Sequence, residues 1–304
     1  MNYLQTLKKI RLGRGIKNKD VLQNARSHST YSKIENGSTE LKINMLVDLL
    51  ETFEVSMEEF IHMNEYNVGI TYFMPTIRQA CREPKNQKLK EIILSEFYPI
   101  KNNIKDMNKL EILYYCSIKN YFADHWPEIT HMKKYEISHI VSILKKKEFY
   151  GQYDYTIVLN SMAYMTESQI DLLMESLFPI KDIEQRTAII INTGFSILTN
   201  AITKNIYILD YKKAWKYVTL AEKLIPYTTG YFSKINLEYS KYIILRFLER
   251  DTIYIEKARQ IIGTVKAIGD ELTAKKMEEE LNNLTEKADY YLDMNHYKSV
   301  PQSD

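Results

Sequence analysis

Apolar residues recur at three- and four-residue intervals through most of this chain, the spacing that lines one face of an α-helix. Leu4, Leu7, Ile10 and Leu12 give such a face to residues 2–14, with Lys8, Lys9 and Arg11 on the other side and Gly15 as the stop. Two short helices with a tight break fit Ile16 to Gly37. Asn18 is placed to cap the first, with Val21 and Leu22 as its apolar contacts. The second runs from Ser27 or His28 to Glu35, with Tyr31 and Ile34 three apart on one face, and Gly37 supplies a left-handed stop. Its other face carries short polar and basic groups: His28, Ser29, Thr30, Ser32 and Lys33. A fourth helix is expected over 41–53 from Leu41, Met45, Leu46, Leu49, Leu50 and Phe53. A fifth is expected over 55–61, where Ser56 and Glu59 form a capping box.

The polar stretch Asn64 to Gly69 is the expected hinge. After it the periodicity predicts helices over 69–82, 86–98, 102–123, 129–149, 153–164, 167–178, 182–204, 210–225, 230–249, 253–269 and 270–292. Breaks are expected at Pro84, Pro99, Pro127, Gly151, Pro179, Pro226, Gly230 and Gly269. Ala214 and Ala258, 44 residues apart, each open a helix with apolar residues at helical spacing. That is a loose, degenerate form of a tetratricopeptide-type helix pair, with a plain antiparallel array as the alternative. The expected organisation is a small N-terminal domain over 1–65, a helical-repeat domain over 66–296 and a tail over 297–304.

Composition sharpens this picture in three places. Nine Gly and seven Pro in 304 residues leave little punctuation for strands and turns, so the expected class is all-α. Two cysteines, Cys81 and Cys116, make no disulfide framework and point to a reducing cytoplasm. The N-terminus has no signal-peptide pattern, and no apolar run reaches the ~20 residues that span a bilayer. The net charge of +2 says little, but its distribution says more. Residues 1–42 hold nine lysines and arginines against three acids, a net of +6, while 48–65 is acidic. A basic face on a small domain suits phosphate contact. His125, His131 and His139 lack metal-ligand spacing, the cysteines lack histidine partners, and there is no glycine-rich phosphate loop. No metal, cofactor or catalytic activity is expected.

The block from Thr30 to Gly37, T-Y-S-K-I-E-N-G, resembles the end of the recognition helix in Cro/phage-repressor helix-turn-helix domains. The resemblance implies that Arg11 pairs with Glu35. A glutamate at an apolar helix junction needs such a cationic partner on physical grounds too. With L-V-D-L-L-E-T-F-E-V-S-M-E-E-F and the helical layout behind it, the whole chain resembles the Rgg/GadR/MutR regulators, cousins of the PlcR and PrgX types. That resemblance implies a right-handed TPR-like repeat domain and a cytoplasmic homodimer. It also implies a palindromic operator in double-stranded DNA and control by a short signalling peptide, as in quorum sensing.

Candidate DNA contacts are Asn18, Lys19, Arg26, Ser27, His28, Ser29, Thr30, Ser32 and Lys33. Lys19, Ser27 and Lys33 suit phosphates, and His28, Ser29 and Thr30 suit base edges. Candidate peptide contacts are amides, hydroxyls and phenols within otherwise apolar helices: Asn160, Tyr164, Asn192, Ser196, Thr199, Asn200, Asn236, Tyr239 and Tyr242. An asparagine amide both donates and accepts, so it can pair with a peptide main chain. Two alternatives use the same parts. One is a phage-type, peptide-responsive lysis–lysogeny regulator. The other is a helical-repeat scaffold with a vestigial helix-turn-helix.

Overall fold

The computed structural model describes residues 3–21, 28–63, 70–101, 104–145 and 147–293, and among these the regular elements are all helical. The chain forms two compact units, Met1–Arg82 and Glu83–Asp304.

In the first unit α1 (Tyr3–Gly13), α2 (His28–Glu35), α3 (Ile43–Thr52) and α4 (Met57–Met63) enclose a small core. Leu7, Ile10, Val21, Tyr31, Leu49, Leu50, Phe53, Val55 and Phe60 are buried in it, with the Tyr31 and Phe53 rings edge to face. Gly15 and Gly37 take the left-handed conformation expected of them, at φ +69° and +74°. The Ser56 hydroxyl accepts from the Glu59 amide and starts α4. Asn18 does not cap. Lys17 holds the cap position of a 3-10 turn, Asn18–Asp20, and the Asn18 side chain turns toward α2. Leu22 and the expected hinge at 64–69 lie outside the described residues. α5 (Ile70–Arg82) belongs to the first unit.

The second unit holds α6 (Gln87–Ile100), α7 (Lys109–Phe122), α8 (Lys134–Leu144), α9 (Gln152–Ser161), α10 (Glu167–Leu177), α11 (Ala188–Tyr207), α12 (Tyr211–Leu224), α13 (Tyr231–Leu248), α14 (Ile253–Ala267) and α15 (Glu271–Asp293). Pro99 sits inside the end of α6 and does not break it. α7 packs on α9, α9 on α11 and α11 on α13, while α8 packs on α10. Neighbours in sequence also pair, α11 with α12 and α13 with α14. This is the two-layered stacking of helix-repeat proteins. Ala214 and Ala258 occupy equivalent places in successive pairs, on α12 and α14, and both are fully buried.

Ionic side chains fix the register of the early pairs. Lys119 of α7 and Glu136 of α8 are both buried and 3.1 Å apart. Glu136 also accepts from the Tyr115 hydroxyl and the Lys133 amide. Burial alone would push its carboxyl up, but these donors and the Lys119 ammonium outweigh it and hold the group below the usual glutamate range. Asp154, at the start of α9, binds Lys147 at 2.7 Å, Lys109 at 2.9 Å and the Gly151 amide at 3.0 Å.

Candidate nucleic-acid interface and peptide groove

The recognition helix α2 is held by its apolar face and by one ion pair. Tyr31 and Ile34 are buried, as their spacing predicts. At its C-terminal end Glu35 accepts from Arg11 Nη2 at 3.0 Å and from Nε at 3.3 Å. Arg11 Nη1 also donates to the Ile16 carbonyl at 2.8 Å. One guanidinium therefore ties together α1, the turn after it and α2, in a fork geometry that lysine cannot reproduce.

Five of the candidate DNA contacts, His28, Ser29, Thr30, Ser32 and Lys33, belong to α2. Lys33 is exposed and Ser32 half-buried. Asn18 donates its amide to Ser32 Oγ at 3.2 Å, and its own Oδ1 is buried with no partner among the described residues. With its oxygen accepting from Asn18, the Ser32 hydroxyl keeps its proton for an outside acceptor. His28, Ser29 and Thr30 form the first turn of α2. Lys19 lies in the 3-10 turn, and Arg26 and Ser27 fall outside the described residues.

The candidate peptide contacts separate into two groups. Asn160 is buried between α9 and α7, donating to Ser117 Oγ and the Thr156 carbonyl. Tyr239 is buried with its hydroxyl on the Met277 carbonyl at 2.7 Å. Both have hydrogen-bond partners for their polar atoms inside the unit. The half-buried Tyr164 hydroxyl donates to the Lys119 carbonyl and meets His131 Nδ1. The second group lies nearer the surface, although Asn192 Oδ1 is buried with no partner among the described residues. Asn192, Ser196 and Thr199 of α11 are half-buried and Asn200 is exposed. The Ser196 and Thr199 hydroxyls donate to carbonyls of their own helix, Asn192 and Phe195, so only their oxygens face outward as acceptors. Asn236 and Tyr242 of α13 are half-buried, and Tyr242 stacks on Tyr254 with Lys257 over both rings.

Sequence periodicity missed an apolar group beside Asn192. Its Nδ2 donates to Thr229 Oγ1 at 3.1 Å, linking α11 to the segment before α13. Ile189, one turn before Asn192, is exposed, as are Tyr231 and Phe232 just after Thr229. Tyr231 is 82% exposed. These are large apolar side chains left in the open at the starts of α11 and α13. A separate cleft of about 470 Å³ lies between α10 and α12, lined by Asp171, Met174, Phe178, Lys213, Tyr217 and Leu220. There Asp171 accepts from Lys213 and Tyr217, so these polar groups are closed on one another.

Residues 7–60 match the HTH_3 helix-turn-helix family model. No curated protein matches the chain in sequence. Solved structures do match over nearly its full length. The PrgX/iCF10 complex superposes with a TM-score of 0.77 at 20% identity, covering 94% of this chain and 97% of that one. A bacterial peptide pheromone/receptor complex gives 0.74 at 20% identity, covering 93% and 98%. The SHP pheromone receptor Rgg2 of Streptococcus dysgalactiae gives 0.72 at 14% identity, covering 92% and 98%. The chain thus carries an HTH_3 helix-turn-helix and, over nearly its whole length, has the fold shared by PrgX and Rgg2.

Proposed function

We propose that this protein is a cytoplasmic, sequence-specific transcriptional regulator whose DNA binding is controlled by a short signalling peptide held in its helical-repeat unit. The observation that carries the reading is the junction, in one chain, of a basic helix-turn-helix with the fold of proteins solved as peptide-pheromone receptors. In this reading α2 enters the major groove, with His28, Ser29 and Thr30 toward bases and Lys19, Ser27 and Lys33 toward phosphates. Two copies bind a palindromic operator as a homodimer. The peptide lies on α11 and α13. Asn200 and Asn236 pair with its main chain, and Ile189, Tyr231 and Phe232 take its apolar side chains.

The test is operator binding by the full chain, using the DNA upstream of its own gene, with and without short apolar peptides. Specific binding whose affinity changes when peptide is added supports the reading, and binding indifferent to sequence would sink it. Replacing Lys19 and Lys33 with alanine is expected to weaken binding on all sequences. Each lost phosphate contact should flatten the log Kd versus log salt slope by about 1.

The Asn18–Ser32 pair makes a sharper prediction. Asn18→Ala and Ser32→Ala are each expected to lower operator affinity about tenfold, roughly the worth of one hydrogen bond. The double variant should lose no more than either single one, because both act through the same hydroxyl. Additive losses in fluorescence anisotropy titrations would show that the two side chains act separately.

A further inference from the structure

The cleft between α10 and α12 is built from helices that carry none of the proposed DNA or peptide contacts. Its volume of about 470 Å³ falls in the range of small-molecule sites, roughly 300–1,000 Å³. Its floor is apolar: Met174 and Phe178 are buried and Leu220 is half-buried. One part of its wall is already closed. Asp171 accepts from the Tyr217 hydroxyl at 2.9 Å and from Lys213 at 2.8 Å, and Lys213 also lies 3.9 Å from Glu167. Glu175 stands one helical turn beyond Asp171 on α10, and Lys216 stands beside Tyr217 on α12. Both line the cleft, from opposite walls, and both are exposed. Neither has an ion-pair or hydrogen-bond partner among the described residues, so they do not engage each other across the gap. The cleft therefore offers a carboxylate and an ammonium on facing walls above an apolar floor.

We propose that this cleft binds a free apolar α-amino acid. Its ammonium meets Glu175, its carboxylate meets Lys216, and its side chain covers Met174, Phe178 and Leu220. The inference does not rest on the peptide reading above. Charge complementarity selects the ligand class. A simple anion would meet the Glu175 and Asp171 carboxylates, and a simple cation would meet Lys216 and Lys213. A neutral apolar molecule would desolvate Glu175 and Lys216 without pairing them, which is costly. A zwitterion pairs both at once. Glutamate and lysine are long and flexible, so the two can close on groups carried by one carbon.

The probes are L-leucine and L-phenylalanine, titrated into the full chain by isothermal calorimetry. At least one is expected to bind saturably, at one site per chain. N-acetyl-L-leucine lacks the ammonium and L-leucinamide lacks the carboxylate. Each should bind about tenfold more weakly than leucine, the worth of one charge-assisted hydrogen bond. Glu175→Gln and Lys216→Met should each weaken amino-acid binding by a similar factor. Their melting temperatures should not move, since both side chains are exposed. Asn200→Ala, on the proposed peptide face of α11, should leave amino-acid binding unchanged. Absence of saturable binding by both amino acids at millimolar concentration overturns the proposal. So does binding that survives both cleft substitutions, or binding lost in Asn200→Ala, which puts the ligand in the peptide groove. Trileucine binding more tightly than leucine through the same two side chains overturns the single-residue assignment in favour of a peptide.

Discussion

Glu35→Ala is expected to melt the N-terminal unit selectively and to abolish operator binding. The substitution strands the Arg11 guanidinium among α1, the Ile16 carbonyl and α2, with side-chain exposures of 9% for Arg11 and 5% for Glu35 in the intact pair. Breaking a buried pair from one side costs about 3–5 kcal/mol. A unit of this size has a total stability on the order of 5–10 kcal/mol, so that loss removes much of it. The two units can be followed separately. Trp126 and Trp215 both lie in the second unit, so tryptophan fluorescence reports that unit alone. Hydrogen exchange of α2 and α3 amides reports the first. The expected result is lost protection in α2 and α3 with the tryptophan transition unmoved. Arg11→Met with Glu35→Leu should recover much of the loss, since a well-packed apolar pair can replace a buried ionic one. Protection in Glu35→Ala equal to wild type would show that the pair does not hold the reading helix in place.

The second large effect is expected at Glu136. Its removal leaves the buried Lys119 ammonium with the His131 carbonyl at 3.3 Å and the Tyr115 ring face at 4.7 Å, neither of which carries a negative charge, and frees the Tyr115 hydroxyl and the Lys133 amide. Glu136→Ala should cost the second unit about 3–5 kcal/mol, visible as an earlier tryptophan transition on denaturant titration. The pH dependence has a definite sign. The folded carboxyl titrates below its unfolded value, so its contribution is present at neutral pH. That contribution is lost as pH falls below the ordinary glutamate range toward the depressed native value. The wild-type transition should therefore weaken on acidification in that window, and the Glu136→Ala transition should weaken less. Equal acid sensitivity of the two proteins would assign the effect to other carboxylates.

Much of this architecture was readable because helix periodicity is a local property. Tyr31 and Ile34, the stops at Gly15 and Gly37, and the 44-residue interval between Ala214 and Ala258 follow from spacing alone, and the structure places them accordingly. Pairing across the fold is not local. Nothing in the neighbourhood of Asn160 or Tyr239 tells that Ser117 and the Met277 carbonyl will consume their polar atoms. A buried, satisfied amide and a ligand-facing one look alike in sequence. The exposed Ile189, Tyr231 and Phe232 were invisible for the converse reason, because apolar residues at helix starts read as core. Asn18 read as a cap because caps are the commonest use of asparagine before a helix, and its contact with Ser32 depends on how α2 lies against the preceding turn.

The second unit is pinned at a few ionic points, Lys119 to Glu136 and Lys109 and Lys147 to Asp154, and it lacks the usual tetratricopeptide consensus residues. Such a pin tolerates no sliding, since one turn of slippage would strand a charge in an apolar setting. The apolar positions between pins need only keep their volume and period. A lineage built this way can exchange most of its residues while the backbone stays put. Sharing a fold end to end with PrgX and Rgg2 at 14–20% identity is what such a division of labour permits.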